Sequence, residues 1–401
     1  MQNRCYSLVI LFTLAQLLVL LVFGYTPYPD SEGYIFLARE CMEHGEPYPV
    51  SSLLCQYPFL WNIGAVNIVA LSLTLTGSVL PVLLLYSLLK GLTAWLCYDL
   101  TLRLSGKPRL ALFALVLYML YPANYGESTS VLTEVPFICC ALMAVWLCVA
   151  KRWFVAAGML LAVGNWFRPF AIVFIAALLV AYLFQWRRYL QLTGGYILTL
   201  FIIGSLTYAR TGLFLYQAKT GWMALMQYSW DNSADHTVFP VNPETIGTDS
   251  TLNVAQKDAA WRDMFFRWLP DNKGEYVRQM PAKLVNTYAS DNVNLCTFLP
   301  DKAQRSYLYE ELSINTLRAD FPRLTAVQWL AIVNLLYYYL LLLTAMLSLL
   351  CFRRQTHLLP LAVIIMGTLM LLLVGHGEAR FHQPFMPFVI MLSACFFNRR
   401  L

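Results

Sequence analysis

The sequence predicts an all-α polytopic membrane protein, and three observations carry that prediction. Apolar residues recur in runs close to the roughly 20 residues that a helix needs to cross a bilayer. Of the 401 residues 59% are hydrophobic and only 12% charged, against the roughly 25% charge of an ordinary globular chain; mean hydropathy is +0.57. Basic doublets close every second connection between the runs, as the positive-inside rule requires of cytoplasmic turns. Those anchors account for the formal net charge of +6. No basic stripe interleaved with exposed aromatics offers a nucleic-acid surface.

Residues 7–24 form the first span, with Arg4 before it. No small-x-small cleavage site follows, so the segment reads as an anchored helix with a cytoplasmic N-terminus rather than a signal peptide. Residues 31–44 place Tyr34, Phe36, Leu37 and Cys41 at roughly helical spacing, which suits a short helix on the interface. The stretch 57–77 is apolar but contains Pro58, Asn62, Gly64 and Asn67. A single crossing at 80–102 already brings Arg103, Lys107 and Arg109 to the cytoplasm. The stretch 57–77 is therefore expected as an interfacial or re-entrant pair of helices. Further spans are expected at 110–121, 135–149, 154–166, 170–184, 192–208, 327–350, 358–374 and 385–397.

That arrangement gives about ten transmembrane helices with both termini inside. Lys151/Arg152, Arg187/Arg188, Arg353/Arg354 and Arg399/Arg400 close the cytoplasmic turns. The exterior connections are then 25–57, 122–134, the 165–169 turn, 211–326 and 375–384. The chain divides into an N-terminal transmembrane module (1–210, with its first exterior loop at 25–57), an extramembrane loop domain (211–326) and C-terminal transmembrane helices (327–401). The loop domain is rich in Trp, Tyr and Phe, too aromatic for disorder, and is expected to be mainly helical.

Of the 10 cysteines most lie inside apolar runs, where they pack as small hydrophobes. No CxxC occurs. Cys41 and Cys55 both fall in the first exterior loop, which leaves a disulfide between them open in an oxidising compartment.

Four exterior segments carry residues suited to chemistry. Asp30 and Glu32 follow the first span in a Pro-rich turn, and carboxylates at a membrane face are functional when they face a cavity. Glu134 opens an outside-to-inside helix; it serves either a site or the helix dipole. Glu127, in the same loop, reads as a solvated charge. Arg168-Pro169 interrupts an apolar stretch at a hairpin tip, where positive-inside statistics disfavour an arginine and a phosphate would favour one. His376, Glu378, Arg380 and His382 form the densest polar cluster between two spans. Their spacing is not HExxH, so an anion-binding Arg380 held by Glu378 is favoured over a metal site, with His376 and His382 in support.

At these residues the chain resembles the GT-C superfamily of membrane glycosyltransferases, which take sugars from polyprenyl or dolichyl phosphates. Pro29, Asp30 and Glu32 form an acidic element after the first span. Thr133, Glu134, Pro136 and Phe137 form a T-E-x-P-F element that opens a later helix. Arg168-Pro169 marks a hairpin, and the run from His376 to Pro387 reads H-x-E-x-R-F-x-x-P-x-x-P before the last span. The stretch 57–77 looks like the juxtamembrane helices of that fold. The likeness follows the order of most of the chain, 211–326 excepted. Many members carry a basic residue or a second acid where Gly377 and Ala379 stand here.

The resemblance implies a mannosyltransferase-like or aminoarabinose-transferase-like enzyme, an inverting one. It would move a sugar from a polyprenyl-phosphate donor to a hydroxyl of a lipid, glycan or protein on the exterior face. Asp30 would be the base, Glu32 or Glu134 would position the acceptor or a divalent cation (Mg²⁺ or Mn²⁺), and Arg168 and Arg380 would hold the phosphate. The chemistry is consistent: a lipid phosphate is a good leaving group and needs no second carboxylate to protonate it, unlike the alkoxide in glycoside hydrolysis. Short cytoplasmic loops suit a bacterial inner membrane with the site facing the periplasm. Two other classes stay open, a transporter or flippase for lipid-linked glycans and a non-catalytic assembly protein. A transporter is expected to show midplane charges and an internal repeat, and no repeat is found.

Overall fold

The computed structural model describes residues 2–45, 62–182, 185–231, 243–298, 324–351, 358–375 and 377–397. The protein is helical, and no β-strand occurs among the described residues. In chain order the helices are α1 (Gln2–Phe23), α2 (Pro29–Glu43), α3 (Ile63–Thr76), α4 (Leu80–Ser105), α5 (Pro108–Met119), α6 (Glu134–Trp146), α7 (Phe154–Phe167), α8 (Ala171–Ala181) and α9 (Trp186–Thr211). There follow α10 (Gly221–Asp231), α11 (Pro243–Thr248), α12 (Val254–Trp268), α13 (Lys273–Arg278), α14 (Met280–Tyr288), α15 (Ala326–Cys351), α16 (Leu358–Val374) and α17 (Met386–Phe397).

Five helical stretches are long and apolar enough to cross a membrane: α1, α4, α6 with its continuation to Lys151, α9 and α15. Five of the shorter helices, α3, α5, α7, α8 and α16, are apolar as well. The surface has the character that lipid requires. Ile10, Leu14, Leu18 and Leu21 on α1 recur every three to four residues and are 56–82% exposed. A row of that kind is an outward apolar face, which water would penalise and hydrocarbon does not.

In the run 385–397, expected as a span, α17 is a helix of 12 residues, buried from Met386 to Ala394 and packed against α15 and α5. The stretch expected as a pair of helices over 57–77 is, in its described part, the single helix α3 packed on α2. The rest of that stretch, and with it Cys55 and any Cys41–Cys55 bond, lies outside the described residues.

Small residues set the closest helix contact. A Cβ at Gly158 of α7 would lie 1.9 Å from the Leu192 carbonyl oxygen of α9, and one at Gly195 would lie 2.3 Å from that of Val155. Only glycine lets these backbones meet, as in packed membrane helices. Between α9 and α15, helices α10, α11 and α12 enclose a small core of Leu225, Met226, Trp261, Phe265 and Trp268. Asn253 opens α12 with a capping box, its side chain accepting from the Gln256 amide while Gln256 returns the bond.

Candidate functional site

Asp30 is placed by helix chemistry. Pro29 stands at the first position of α2, where its missing N–H is harmless and its fixed φ suits the turn. Asp30 follows in the first turn, near the positive end of the helix dipole. The chain leading in is clamped to the 122–133 connection: the Thr26 amide donates to the Thr129 carbonyl at 2.9 Å, and the Ser130 hydroxyl donates to the Thr26 carbonyl at 2.9 Å.

Glu32 does not join Asp30. At about 100° per residue, side chains two apart on a helix point about 200° apart, so one helix cannot aim both into one site. Glu32 is exposed, on the side of Tyr25. Burial first, and then the Glu32 carboxylate, push the Tyr25 hydroxyl up to about 12. The expected second catalytic carboxylate of this element is thus outside the constellation.

Glu134 is the first residue of α6 and is almost fully buried. Arg168 caps the end of α7 with φ −154° and ψ 128°, the extended backbone that the following Pro169 enforces. Its Nη1 lies 2.5 Å from Glu134 Oε1 and donates to the Thr133 hydroxyl at 3.2 Å. The guanidinium lies against the edge-to-face pair of Phe170 and Phe381, 4.9 and 4.7 Å from their centroids. Glu134 therefore serves both readings, opening a helix and pairing with a site arginine.

Arg380 lies on a tight 3-10 turn, Ala379–Phe385, just before α17. Its Nη1 is 2.6 Å from Asp30 Oδ2 and its Nε is 2.6 Å from Glu378 Oε1. Glu134 Oε1, 3.9 Å from Arg380 Nε, stands between the two arginines. Burial works against the Arg380 charge, but Glu378, Glu134 and Asp30 outweigh it and raise its pKa further. Four distant segments thus meet in one cluster of three carboxylates and two guanidinium groups, one negative charge in excess. Arg380 Nε and Nη1 are engaged by Glu378 and Asp30, whereas Arg168 Nε is a buried donor with no partner among the described residues. A buried donor in that state calls for an explanation, and a ligand is one.

Three members of the cluster, Asp30, Arg168 and Arg380, line a cavity of about 500 Å³, while Glu134 and Glu378 do not. Tyr34, Asn62, Tyr216, Lys219, Trp222 and Asp258 line it as well, and Met370 and Val374 of α16 contribute apolar lining. Lys219 Nζ lies 3.6 Å from Asp258. A volume of this size suits a small organic ligand, with a few convergent polar groups in an otherwise apolar lining.

His376 lies outside the described residues. His382 is buried behind the cluster and does not line the cavity, so it supports the site only through the fold. Its Nδ1 donates to the Thr287 carbonyl at 2.6 Å, its Nε2 is 3.2 Å from Asp291, and Tyr288 and Tyr338 stack on the ring. Burial raises the Asp291 carboxyl while His382 opposes it, and Gln383 donates to the same carboxylate. Gly377 explains the departure at its motif position. Its φ is +72°, and a Cβ there would lie 2.9 Å from the Lys283 Cα, so no side chain is accommodated.

Glu127 corrects a sequence expectation. It is not solvated but buried, 2.5 Å from Lys90 Nζ of α4. Lys90 also donates to Asn124 Oδ1 at 2.8 Å, and Gln16 of α1 bridges the Asn124 carbonyl and the Ser128 hydroxyl. The connection 122–133, expected as an exterior loop, is sunk into the end of the bundle. Irregular backbone at such depth survives only where protein groups satisfy it, as these do.

Among the described residues no group of three or more His, Cys, Asp or Glu side chains could hold a metal ion. No protein-family model, curated protein or solved structure matches this chain.

Proposed function

We propose that the protein is an inverting GT-C-type glycosyltransferase with about ten transmembrane spans. In this reading it transfers a sugar from a polyprenyl-phosphate donor to a hydroxyl of a lipid, glycan or protein, on the periplasmic face of a bacterial inner membrane. The observation that carries the reading is the convergence of Asp30, Arg168 and Arg380 on one cavity, with Glu134 paired to Arg168 and the buried Arg168 Nε left without a partner among the described residues. A phosphodiester supplies acceptor oxygens that two guanidinium groups lining a cavity favour, and a guanidinium takes two of them side by side.

The chemistry follows from the pairing. The donor phosphate competes with Asp30 for Arg380, so its arrival releases the Asp30 carboxylate. Asp30 then accepts the proton of the acceptor hydroxyl as that oxygen bonds to the anomeric carbon. The carbon–oxygen bond to phosphate breaks on the opposite face, and the phosphate leaves as an anion stabilised by Arg168 and Arg380. Glu134, fixed by Arg168, orients the two arginines; Glu378 holds Arg380 from behind. Glu32 has no part in it.

The test is direct. Purified protein in liposomes is given a polyprenyl-phosphate sugar, and release of free polyprenyl phosphate is followed with and without acceptor lipid extracts. Release that Arg380→Ala abolishes supports the reading. Absence of both donor binding and release over a panel of such donors contradicts it.

A further inference from the structure

Helix α14 is built inside out. Gln279, Lys283 and Thr287, spaced four apart through its inner face, are buried at 5, 0 and 2% exposure. Leu284 and Val285 of its outer face are 41 and 61% exposed, and Val277 at the end of α13 is 58% exposed. Pro281 and Ala282 face outward with them, and Asn286 is the one exposed polar side chain of α14. A helix lying on a water-facing domain carries the reverse pattern, apolar inward and polar outward. Polar groups inward and apolar groups outward is the pattern of a helix whose outer neighbour is hydrocarbon.

Its level in the bundle agrees. The Tyr276 hydroxyl donates to the carbonyl of Leu373, at the end of α16. One helix further along, the Tyr288 and Thr368 hydroxyls are 2.7 Å apart, and Thr368 lies about 9 Å below the end of α16 at 1.5 Å per residue. The Tyr338 and Tyr339 hydroxyls of α15 donate to the Tyr288 and Ala289 carbonyls at 3.1 and 2.6 Å. The chain therefore descends along two apolar helices. Its outer face continues the exposed rows of Leu369 and Leu373 on α16 and of Leu336 and Leu340 on α15. Arg278, paired with Glu275 at 2.6 Å, stays at the upper level, where a charged head reaches the headgroups.

We infer that α14 is a membrane-embedded wedge: its Leu284–Val285 face, with Val277 of α13, contacts acyl chains of the leaflet on the site side, between α15 and α16. The stretch 211–326 is then not wholly extramembrane. The wedge also backs the turn that carries Arg380, because Thr287 accepts from His382 and Gly377 abuts the Lys283 backbone. The inference rests on the membrane character of the helices and not on the proposed reaction.

The experiment places an environment-sensitive fluorescent amino acid at Val285, Leu284 or, as a control, Asp263 on the half-exposed face of α12. The full-length protein is reconstituted into phosphatidylcholine vesicles. Lipids brominated along the acyl chain are expected to roughly halve emission at 285 and 284 and to leave 263 unchanged, while aqueous iodide does the opposite. Iodide quenching of 285 equal to that of 263 overturns the inference. So does shielding of 285 from both quenchers that disappears on dilution to one chain per vesicle, which would make a second copy the occupant.

Discussion

The Lys90–Glu127 pair offers the sharpest energetic test of how the site end of the bundle is held. Both side chains are 3% exposed, with 2.5 Å between Nζ and Oε2, and Asn124 takes a further Lys90 proton at 2.8 Å. Removing one partner of such a pair strands the other, at about 3–5 kcal/mol, whereas replacing both by apolar groups of similar volume is close to neutral or better. Lys90→Met and Glu127→Met should each destabilise by about that amount, and the double variant by clearly less than the sum. A pH dependence sharpens the prediction. Burial already raises the Glu127 carboxyl, and Lys90 is what pulls it back. In Lys90→Met the folded pKa lies above the unfolded value, so protonation favours the fold. Stability lost at neutral pH should return as the pH falls through the folded value toward the unfolded one. The assay is reversible unfolding by SDS in mixed micelles, from pH 5 to 8, for the four members of the cycle. Additive single losses, or a Lys90→Met deficit independent of pH, would show that the charges are not coupled.

Other outcomes follow from the same geometry. Arg168→Ala should reduce donor use by about 2–4 kcal/mol of transition-state stabilisation, and Arg168→Lys should restore only part of it, because the fork and the guanidinium contacts with Phe170 and Phe381 are lost; the ratio kcat/KM reads this. Glu32→Gln should leave turnover unchanged, since Glu32 points away from the cavity, and a large loss would move it back into the site. Gly377→Ala should lower thermal stability in detergent, because left-handed backbone and the Lys283 contact both oppose a Cβ. A membrane-impermeant reagent should label cysteines placed at Arg103 and Asp263 from opposite faces of the membrane; labelling from one face refutes the orientation.

The elements were legible because period and composition decide them. Apolar runs located α1, α4, α9 and α15, and Pro29 and Pro169 fixed the local geometry of Asp30 and Arg168. The order of the acidic and arginine motifs marked the residues that meet at the cavity. What the sequence hid was register and burial. Whether Asp30 or Glu32 faces inward depends on where α2 begins, and a start two residues away exchanges them. Glu127 read as solvated because its partner Lys90 sits inside an apolar run 37 residues earlier. Asp291 escaped notice for the same reason, since His382 and Gln383 approach it from more than 90 residues away. A lysine inside a predicted span was the available signal, because such a charge demands a partner. The burial of α17 within the run 385–397 was hidden too, because hydropathy does not separate a central buried helix from a lipid-facing one.

The central claim is that Asp30 takes the acceptor proton once a phosphate has drawn Arg380 away from it. The most direct measurement separates donor binding from turnover in purified Asp30→Asn protein, using a fluorescent polyprenyl-phosphate sugar for binding and single-turnover release of polyprenyl phosphate for chemistry. Asparagine keeps the shape and a hydrogen-bonding oxygen but accepts no proton. The account predicts that turnover falls by about 10²–10⁴-fold. Donor affinity should be unchanged or higher, because Arg380 no longer has a carboxylate to give up. Turnover at the wild-type rate, or weaker donor binding with turnover per bound donor intact, contradicts it.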